Sequence, residues 1–513
     1  MSALRIFLRK NWVARAAVTA IVLLTVSLEK SPAQEAASVR DLTGNWEGAL
    51  GQGPVKLHII LTFEKQSDGT YKGLLNSVDQ GAMLPMSDVA LKNSAVHFEL
   101  AAVGGTYDGT LSADGDEISG TWIQTGVPAQ PLNFKRRAQE PASQGAASAA
   151  AVPTPKPFTL PLDIAVPTAP KAFKADGKWH LAYELHIANL GGVDCTLVSI
   201  ETVSGSSPEK AIGKISGVDL SLIVVHPGQK VADATKIAAG SFTVAYMWET
   251  VDSLADLPTT IRHKVTAKVG DYPEDVTAET SATAVGRTPA IVISPPLRGD
   301  DWLAANGPSN TSGHRRALVS IDGHAYIAQR FAIDWLELYP DGKSFQGDRS
   351  DNKNYRDYGA EIHSVASGTV TEVKDGIPQN SPGLTSRAVP ITLETVGGNH
   401  VIVRIADGVY AGYMHMQPGS IRVKVGDKVT RGQVLGLLGN SGNSTEPHLH
   451  FQLCSESSTL ACEGIPYAFS SFEVEGKGMG WKSSQPNQNP AKREMEIPLE
   501  GDVVRFPAAP QAH

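Results

Sequence analysis

Short runs in which apolar and polar residues alternate recur along this chain. Residues 55–61, 96–100 and 183–187 are clear cases, and turn-forming groups such as Ser-Asp-Gly at 67–69 lie between such runs. A period of two places successive side chains on opposite faces of a β-strand, with one face in a core and the other in water. The pattern therefore predicts a mainly β protein built from short strands and tight turns.

The chain has 513 residues, too many for one hydrophobic core, and shifts in composition divide it. We predict, in order, a signal peptide, a first β domain, a linker, a second β domain, a third β domain and a C-terminal tail, at residues 1–33, 41–137, 138–157, 158–293, 297–470 and 471–513. The linker is rich in alanine and proline and cannot bury enough apolar surface to fold, so we expect it to be disordered.

The N-terminus has the features of a secretory signal. Four basic residues precede an uncharged apolar run at 16–28, and small residues at 31–33 offer a cleavage site near Gln34. The run is shorter than the roughly 20 residues that span a membrane, although an uncleaved anchor is the alternative. The sequence thus predicts an exported protein, in the periplasm or outside the cell.

The first two β domains differ in their features. In the first, Trp46 and Trp122 lie in strand-like runs as barrel-core aromatics do, and the segment resembles small lipocalin-like β-barrels. In the second, strand-like runs follow one another at the spacing of an immunoglobulin-like β-sandwich. We identify no convergent set of catalytic residue types in the second domain, and we expect it to be a spacer or an adhesion domain.

Charge and cysteine content narrow the chemistry. The formal net charge of −8 gives no reason to expect nucleic acid as a partner. Cys454 and Cys462 are close enough in sequence to form a disulfide in an oxidising compartment, whereas Cys195 is expected to be a buried free thiol.

Residues 426–451 contain the side chains best suited to catalysis. They read as an apolar strand at 434–438, a loop of Gly, Asn and Ser at 439–443, and a further strand that begins His-Leu-His-Phe at His448. Alternation places His448 and His450 on one strand face, beside a loop whose residues tolerate positive φ. One imidazole could bind a metal while the other faces a bound water, as hydrolytic zinc sites require.

These residues, with Tyr-Met-His at 413–415 and the early strand pair at 359–370, resemble the lysostaphin-type (LytM-like) zinc metallopeptidases. The resemblance covers the third β domain. It implies a small antiparallel β domain, a groove that holds one zinc ion per chain, and bacterial peptidoglycan as the substrate.

The resemblance also implies roles for single residues. Asp334 and His450 correspond to zinc ligands of the family, and His415 and His448 correspond to its two catalytic histidines. In that scheme His448 takes the proton from the attacking water, and His415 stabilises the developing oxyanion.

One ligand position departs from the family pattern. The family's first ligand lies four residues before the aspartate, and Arg330 occupies that position here. Arginine stays protonated and has no lone pair to offer a metal. Either a ligand comes from elsewhere in the chain, or the site has lost its metal.

His314 is our candidate for the third metal ligand. Two strands are predicted at 315–321 and 325–333, around the turn at 322–323. If the loop has two residues, His314 points away from Asp334; if it has three, the two side chains share a face. The register of this hairpin therefore decides whether His314 reaches the metal.

Two polar segments of the third domain, 339–358 and 377–389, interrupt the family pattern. We expect both to be solvated loops that line the substrate groove.

Three functions follow from these features. The first is an exported zinc metalloendopeptidase that hydrolyses the peptide cross-links of bacterial peptidoglycan. The second is a catalytically degenerate family member that binds cell wall or activates another wall hydrolase, for which Arg330 is the main argument. In the third, the first β domain carries a small apolar ligand and the third domain only anchors the chain to the wall.

Overall fold

A computed structural model of the protein describes residues 41–51, 56–124, 127–137, 159–206, 209–383, 385–478 and 490–508. The predicted signal peptide and the whole of the predicted linker lie outside these residues. The described residues are mainly β-strand, as the alternation predicts. Within them, no helix is long and apolar enough to span a membrane.

The first module is a nine-stranded antiparallel sheet that nearly closes into a barrel. Its strands, β1 to β9, are Gly44–Leu50, Leu57–Lys65, Tyr71–Ser77, Ala82–Pro85, Ser87–Lys92, Ala95–Leu100, Gly105–Leu111, Glu117–Gln124 and Val127–Arg136. Chain neighbours pair throughout, except that β4 and β5 are the sheet's ends and β1 pairs with β9. Trp46 and Trp122 are buried in its core, as predicted.

The second module consists of two packed sheets. Its elements are β10 Leu162–Ala165, β11 Ala172–Ala175, β12 Lys178–Asn189, β13 Cys195–Ser204, β14 Ala211–Ser216, α1 Gly217–Ile223, β15 Val224–Val225, β16 Lys236–Ile237, β17 Phe242–Val251, β18 Thr260–Val269, β19 Val276–Glu279 and β20 Thr283–Ala284. One sheet is centred on β12 and β17, and the other on β13 and β18. Apolar side chains from both sheets form one core, in which Cys195 is buried as a free thiol, as predicted.

The third module contains the remaining strands. They are β21 Ile291–Ile293, β22 Gly299–Ala305, β23 Val319–Ile321, β24 His324–Tyr326, β25 Ile333–Glu337, β26 Glu361–His363, β27 Gly368–Lys374, β28 Asn399–Ala406, β29 Val409–Met416, β30 Lys428–Val429, β31 Val434–Leu437, β32 Leu449–Cys454, β33 Tyr467–Lys477, β34 Ala491–Glu496 and β35 Asp502–Phe506. The main sheet has the order β21-β33-β35-β22-β25-β32-β29-β28-β27-β30, and β34 pairs with β33. Cys454 and Cys462 form the predicted disulfide.

The C-terminus differs from the predicted tail at 471–513. Strand β33 runs on to Lys477, and β35 lies inside the main sheet, between β33 and β22. Val504 and Phe506 of β35 are buried against the same core as Trp335. Runs this short carry too little periodicity to be told from loop by sequence alone.

The second and third modules share an apolar interface. Phe173 of β11 packs on Phe331 at a centroid separation of 5.2 Å, and Ala175 and Ala182 belong to the same core as the third module's main sheet. The segment that leads into β25 therefore folds against the second module.

Candidate metal centre and catalytic groove

Three adjacent strands of the main sheet place the predicted site residues together. Asp334 on β25 lies opposite His450 on β32, and His450 lies opposite Met414 on β29. Since alternate residues of a strand share a face, His448 and His450 both project toward Asp334. The sheet register thus brings the predicted aspartate and the His-x-His pair together.

Asp334 is the centre of this cluster. It is buried, and its Oδ1 lies 2.9 Å from His450 Nδ1 and 3.3 Å from His448 Nε2. Its Oδ2 lies 3.2 Å from His314 Nε2 and accepts a hydrogen bond from Asn306 Nδ2 at 2.9 Å. Three histidines therefore surround one carboxylate.

His314 reaches Asp334 by a route that neither predicted hairpin provides. The loop at 322–323 has two residues, because Ile321 pairs with His324, the register that was expected to turn His314 away. The prediction is wrong about strand length: β23 and β24 are three residues each, and residues 313–316 form a turn. Since that turn lies outside the hairpin, strand alternation does not fix the direction of the His314 side chain.

His415 and His448 present the same nitrogen to the groove. His415 Nδ1 donates to the Ser441 carbonyl at 2.8 Å, and His448 Nδ1 donates to the Glu446 carbonyl at 2.8 Å. Both imidazoles therefore keep Nε2 for the site. Their ring centroids are 4.8 Å apart.

The backbone at His415 has an unusual conformation. Its φ is +67°, in the left-handed region that favours glycine, and so Met414 and His415 both line the groove despite being consecutive in a strand. The Ser441 carbonyl that holds its ring is packed against Gly398, where an added Cβ would lie 2.4 Å from that oxygen. Glycine is therefore required at 398 for His415 to keep this position.

The pKa values of the carboxylate and the histidines in the cluster are shifted in different directions. Burial opposes ionisation of Asp334, but the His314 and His448 imidazoles outweigh it and hold the pKa of Asp334 well below its ordinary value. Burial also opposes a charge on His448, but Asp334 overcomes it and raises the pKa of His448 to about 9. Burial lowers the pKa of His450. Burial and the neighbouring His448 and His450 hold the pKa of His415 well below its ordinary value.

The hydrogen bonds of His450 show that the cluster suits a cation. Gln452 Nε2 donates to Thr459 O at 3.0 Å, which turns Gln452 Oε1 toward His450 Nε2, also at 3.0 Å. Neutral His450 therefore carries its proton on Nε2 and has a lone pair on Nδ1. That lone pair faces Asp334 Oδ1, so two acceptors meet unless a proton or a metal ion lies between them.

The donor set has the chemistry of a zinc site. His314, Asp334 and His450 each offer one ligand atom, and these atoms lie within 4.8 Å of one another. Among the described residues, His314 Nδ1 is buried without a hydrogen-bond partner. Two imidazole nitrogens and one carboxylate oxygen are a ligand set that catalytic zinc accepts, with a further coordination position left open.

Arg330 lies outside this donor set. It is buried, with Nη2 at 2.9 Å from Glu184 Oε2 of the second module and Nη1 at 2.7 Å from Glu463 Oε2. Both partners are carboxylates, and they hold the guanidinium in the contact between the second and third modules. The position to which the sequence resemblance assigns a ligand is thus part of an interdomain contact here.

The groove beside the cluster has a volume of about 250 Å³, and one of the two predicted loops lines it. Arg387, from the loop at 377–389, is among the lining residues. No residue of the segment 339–358, all of which the structure describes, lines this groove. That segment instead packs on the glycine-rich loop, where Ser344 donates to Glu446 and Asn352 accepts from Asn440.

Sequence reasoning missed several residues that support the site. Gln452 could have been found, because it follows His450 by two residues and shares its strand face. Asn306 carries no such signal, because no periodic pattern relates it to Asp334, the residue to which it donates.

Part of the third module is similar to known proteins. Residues 355–461 match the model of peptidase family M23. Lysostaphin from Staphylococcus staphylolyticus is 39% identical over 92 residues, 18% of this chain and 19% of that protein. Peptidoglycan DD-endopeptidase ShyA from Vibrio cholerae is 45% identical over 56 residues, 11% of this chain and 13% of ShyA. The solved catalytic domain of lysostaphin from Staphylococcus simulans is 24% identical, with 31% of this chain and 84% of that domain covered and a TM-score of 0.18.

A peptidase M23 domain of the lysostaphin type therefore lies at residues 355–461. The chain spans about a fifth or less of the length of these curated relatives. The family match includes His415, His448 and His450, and it begins after His314 and Asp334.

Proposed function

We propose that the third module is a zinc metalloendopeptidase that hydrolyses peptide cross-links of bacterial peptidoglycan. The observation that carries the proposal is the convergence of His314, Asp334 and His450 beside two histidines whose Nε2 atoms face one groove. Relatives of the matched segment that are named as peptidoglycan endopeptidases support the substrate class.

In this proposal some of the residues bind the metal, and His448 transfers a proton. His314, Asp334 and His450 would hold the metal, and Gln452 would orient His450 from behind. When bound, zinc supplies a Lewis acid for the scissile carbonyl and offsets the Asp334 charge that keeps His448 protonated. His448 accepts the proton from the attacking water through Nε2, which its Nδ1 hydrogen bond leaves available.

His415 would act on the oxygen of the scissile carbonyl. Burial keeps the imidazole neutral in the resting site, with its proton on Nδ1 and a lone pair on Nε2. Negative charge that develops on the substrate oxygen favours uptake of a proton from solvent water at His415 Nε2, and the imidazolium then donates to that oxygen. This residue therefore stabilises the transition state more than the ground state.

Peptidoglycan lies outside the cytoplasm, so the proposal includes export to the periplasm or beyond. The Cys454–Cys462 disulfide supports this location because such bonds persist in oxidising compartments. Peptidoglycan is the proposed partner of the groove.

A non-catalytic wall-binding protein, or an activator of another wall hydrolase, is the second candidate, and Arg330 favours it. That position cannot bind a metal, and a site without metal would keep only a peptide-binding groove.

One experiment separates the two functions. The full chain is incubated with purified cross-linked peptidoglycan, and the release of soluble fragments and the binding to sedimented wall are both measured. We expect release that a zinc chelator abolishes and that His415→Ala lowers by roughly 100- to 10,000-fold while zinc stays bound. His324→Ala, at the exposed first residue of β24, is the matched control and should match the wild type. Wall binding without release, insensitive to chelator and to His415→Ala, would establish the binding protein instead.

A further inference from the structure

We infer that Glu184 of the second module is a positioning residue for the metal ligand His314, so that the second module completes the metal site of the third. The inference rests on the proposed zinc site. It assigns the β-sandwich a part in the site, where its sequence suggests only a spacer or an adhesion domain.

One carboxylate of the second module is paired with two buried arginines at this interface. Glu184, on β12, is 1% exposed. Its Oε1 is ion-paired with Nη1 of Arg315, and both of its oxygens accept from Arg330, at 3.1 and 3.2 Å from Nε and 2.9 Å from Nη2. The two guanidiniums hold the pKa of Glu184 at about 2 against the effect of burial, so the carboxylate is charged.

Arg315 links Glu184 to the proposed metal ligand His314. It follows His314 in the chain, is fully buried, and donates from Nη2 to the carbonyls of Tyr183 and Met247 at 2.9 and 3.1 Å. These carbonyls belong to β12 and β17, the central strands of one sheet of the second module. The side chain next to the ligand is therefore anchored entirely in the second module.

The next residue adds a second anchor. Arg316 donates to the Leu222 carbonyl of α1, and its own carbonyl accepts from the Tyr246 hydroxyl at 3.4 Å. The turn at 313–316 has no strand partner in the third module, because the nearby hairpin begins only at Val319. Within the third module, Arg316 Nε donates to the Asn310 carbonyl at 2.7 Å and the Arg316 amide donates to the Ser312 carbonyl. All other side-chain hydrogen bonds of Arg315 and Arg316 go to the second module, so that module helps to hold the turn that directs His314 toward Asp334.

Loss of the Glu184 charge would act on His314 through this turn. Arg330 would keep Glu463, but Arg315 would retain only carbonyl acceptors and would lie buried beside a second cation. An uncompensated buried charge is strongly unfavourable, so Arg315 would move and take the turn with it. The metal would then lose one of its three protein ligands or bind it in poorer geometry.

A second ion pair at the same interface provides the control. Glu496 on β34 is 3% exposed, lies 3.0 Å from Lys174 of the second module, and accepts from the Gly177 amide at 3.0 Å. Strands β33, β35 and β22 separate β34 from β25, so this pair joins the modules away from the metal site.

The test compares the full chain as wild type, Glu184→Gln, Glu496→Gln and His314→Ala. We would measure the zinc dissociation constant by chelator competition, the visible absorption spectrum of the cobalt(II)-substituted protein, and thermal unfolding without metal. We expect Glu184→Gln to weaken zinc binding by at least about tenfold and to alter the cobalt spectrum, as outer residues that orient ligands do. Glu496→Gln should keep the wild-type affinity and spectrum, even if its unfolding temperature falls.

Wild-type zinc affinity and cobalt spectrum in Glu184→Gln would overturn the inference, and so would an equal loss in Glu496→Gln, since module contact in general would then explain the effect. If Glu184→Gln does not fold, Glu184→Asp takes its place under the same criteria, because it keeps the charge and shortens its reach. Failure of the wild type itself to bind zinc would sink the proposed function, which is a separate outcome.

Discussion

The two halves of the proposed metal site arise from different kinds of sequence. His415, His448 and His450 lie within the segment that matches family M23, on or beside paired strands whose alternation places them. His314 and Arg330 precede that segment and lie in turns, and Glu184, one of the two carboxylates paired with Arg330, is 146 residues away from it in sequence. In our proposal, a ligand that is absent from one position is supplied by a turn, because another module holds that turn in place.

The largest expected effect is the loss of zinc when one metal ligand is removed, whether that ligand lies inside or outside the segment that matches family M23. We expect both His450→Ala, in the matched half, and His314→Ala, in the other, to lose stoichiometric zinc, because each leaves two of three protein ligands. Metal content of the purified full-length variants, measured by atomic emission after zinc loading and dialysis, checks this. Exposed His324→Ala should retain wild-type zinc; full zinc in His314→Ala would remove the second half from the site.

Acid should weaken the ion pairs of Glu184 with Arg315 and Arg330. The folded pKa of Glu184, about 2, lies below its ordinary 4.5, so its contribution to stability is complete above about pH 4.5 and is lost as pH falls through 2. A shift of this size corresponds to up to about 3 kcal/mol. The unfolding free energy of the wild type should exceed that of Glu184→Gln near pH 6, and the gap should close toward pH 2. A gap that does not change with pH would show that the Glu184 charge is not what links the modules.

A smaller loss of zinc affinity should follow from substitution of Gln452, which contacts the ligand His450 inside the segment that matches family M23. Gln452→Ala removes the acceptor that fixes the proton of His450 on Nε2, and loss of such a partner weakens metal binding by about 10- to 100-fold. Chelator competition measures the change, with exposed Gln346→Ala as the control. An unchanged zinc affinity would mean that His450 is oriented by its strand and not by this hydrogen bond.

The sequence predicts the positions of the site residues on paired strands, but not those of the residues in turns. Alternation and the His-x-His pattern place His448 and His450 on one face, and the register of β25 then brings Asp334 opposite His450. The disulfide and the β architecture also follow from local cues. The position of His314 does not, because it lies in a turn whose Arg315 pairs with Glu184 of the second module, and no local pattern encodes a contact between modules. Strand β35 is missed for a related reason, because it is identifiable as a strand only by the neighbours that it lies between.

The most direct test of the central claim, that His314 replaces the ligand missing at Arg330, is a crystal structure of the zinc-loaded full chain recorded at the zinc absorption edge. We expect one anomalous peak bonded to His314, Asp334 and His450 at roughly 2.0 to 2.2 Å, with Arg330 still paired to Glu184. A peak whose ligands exclude His314, or no peak in zinc-loaded crystals, would contradict it.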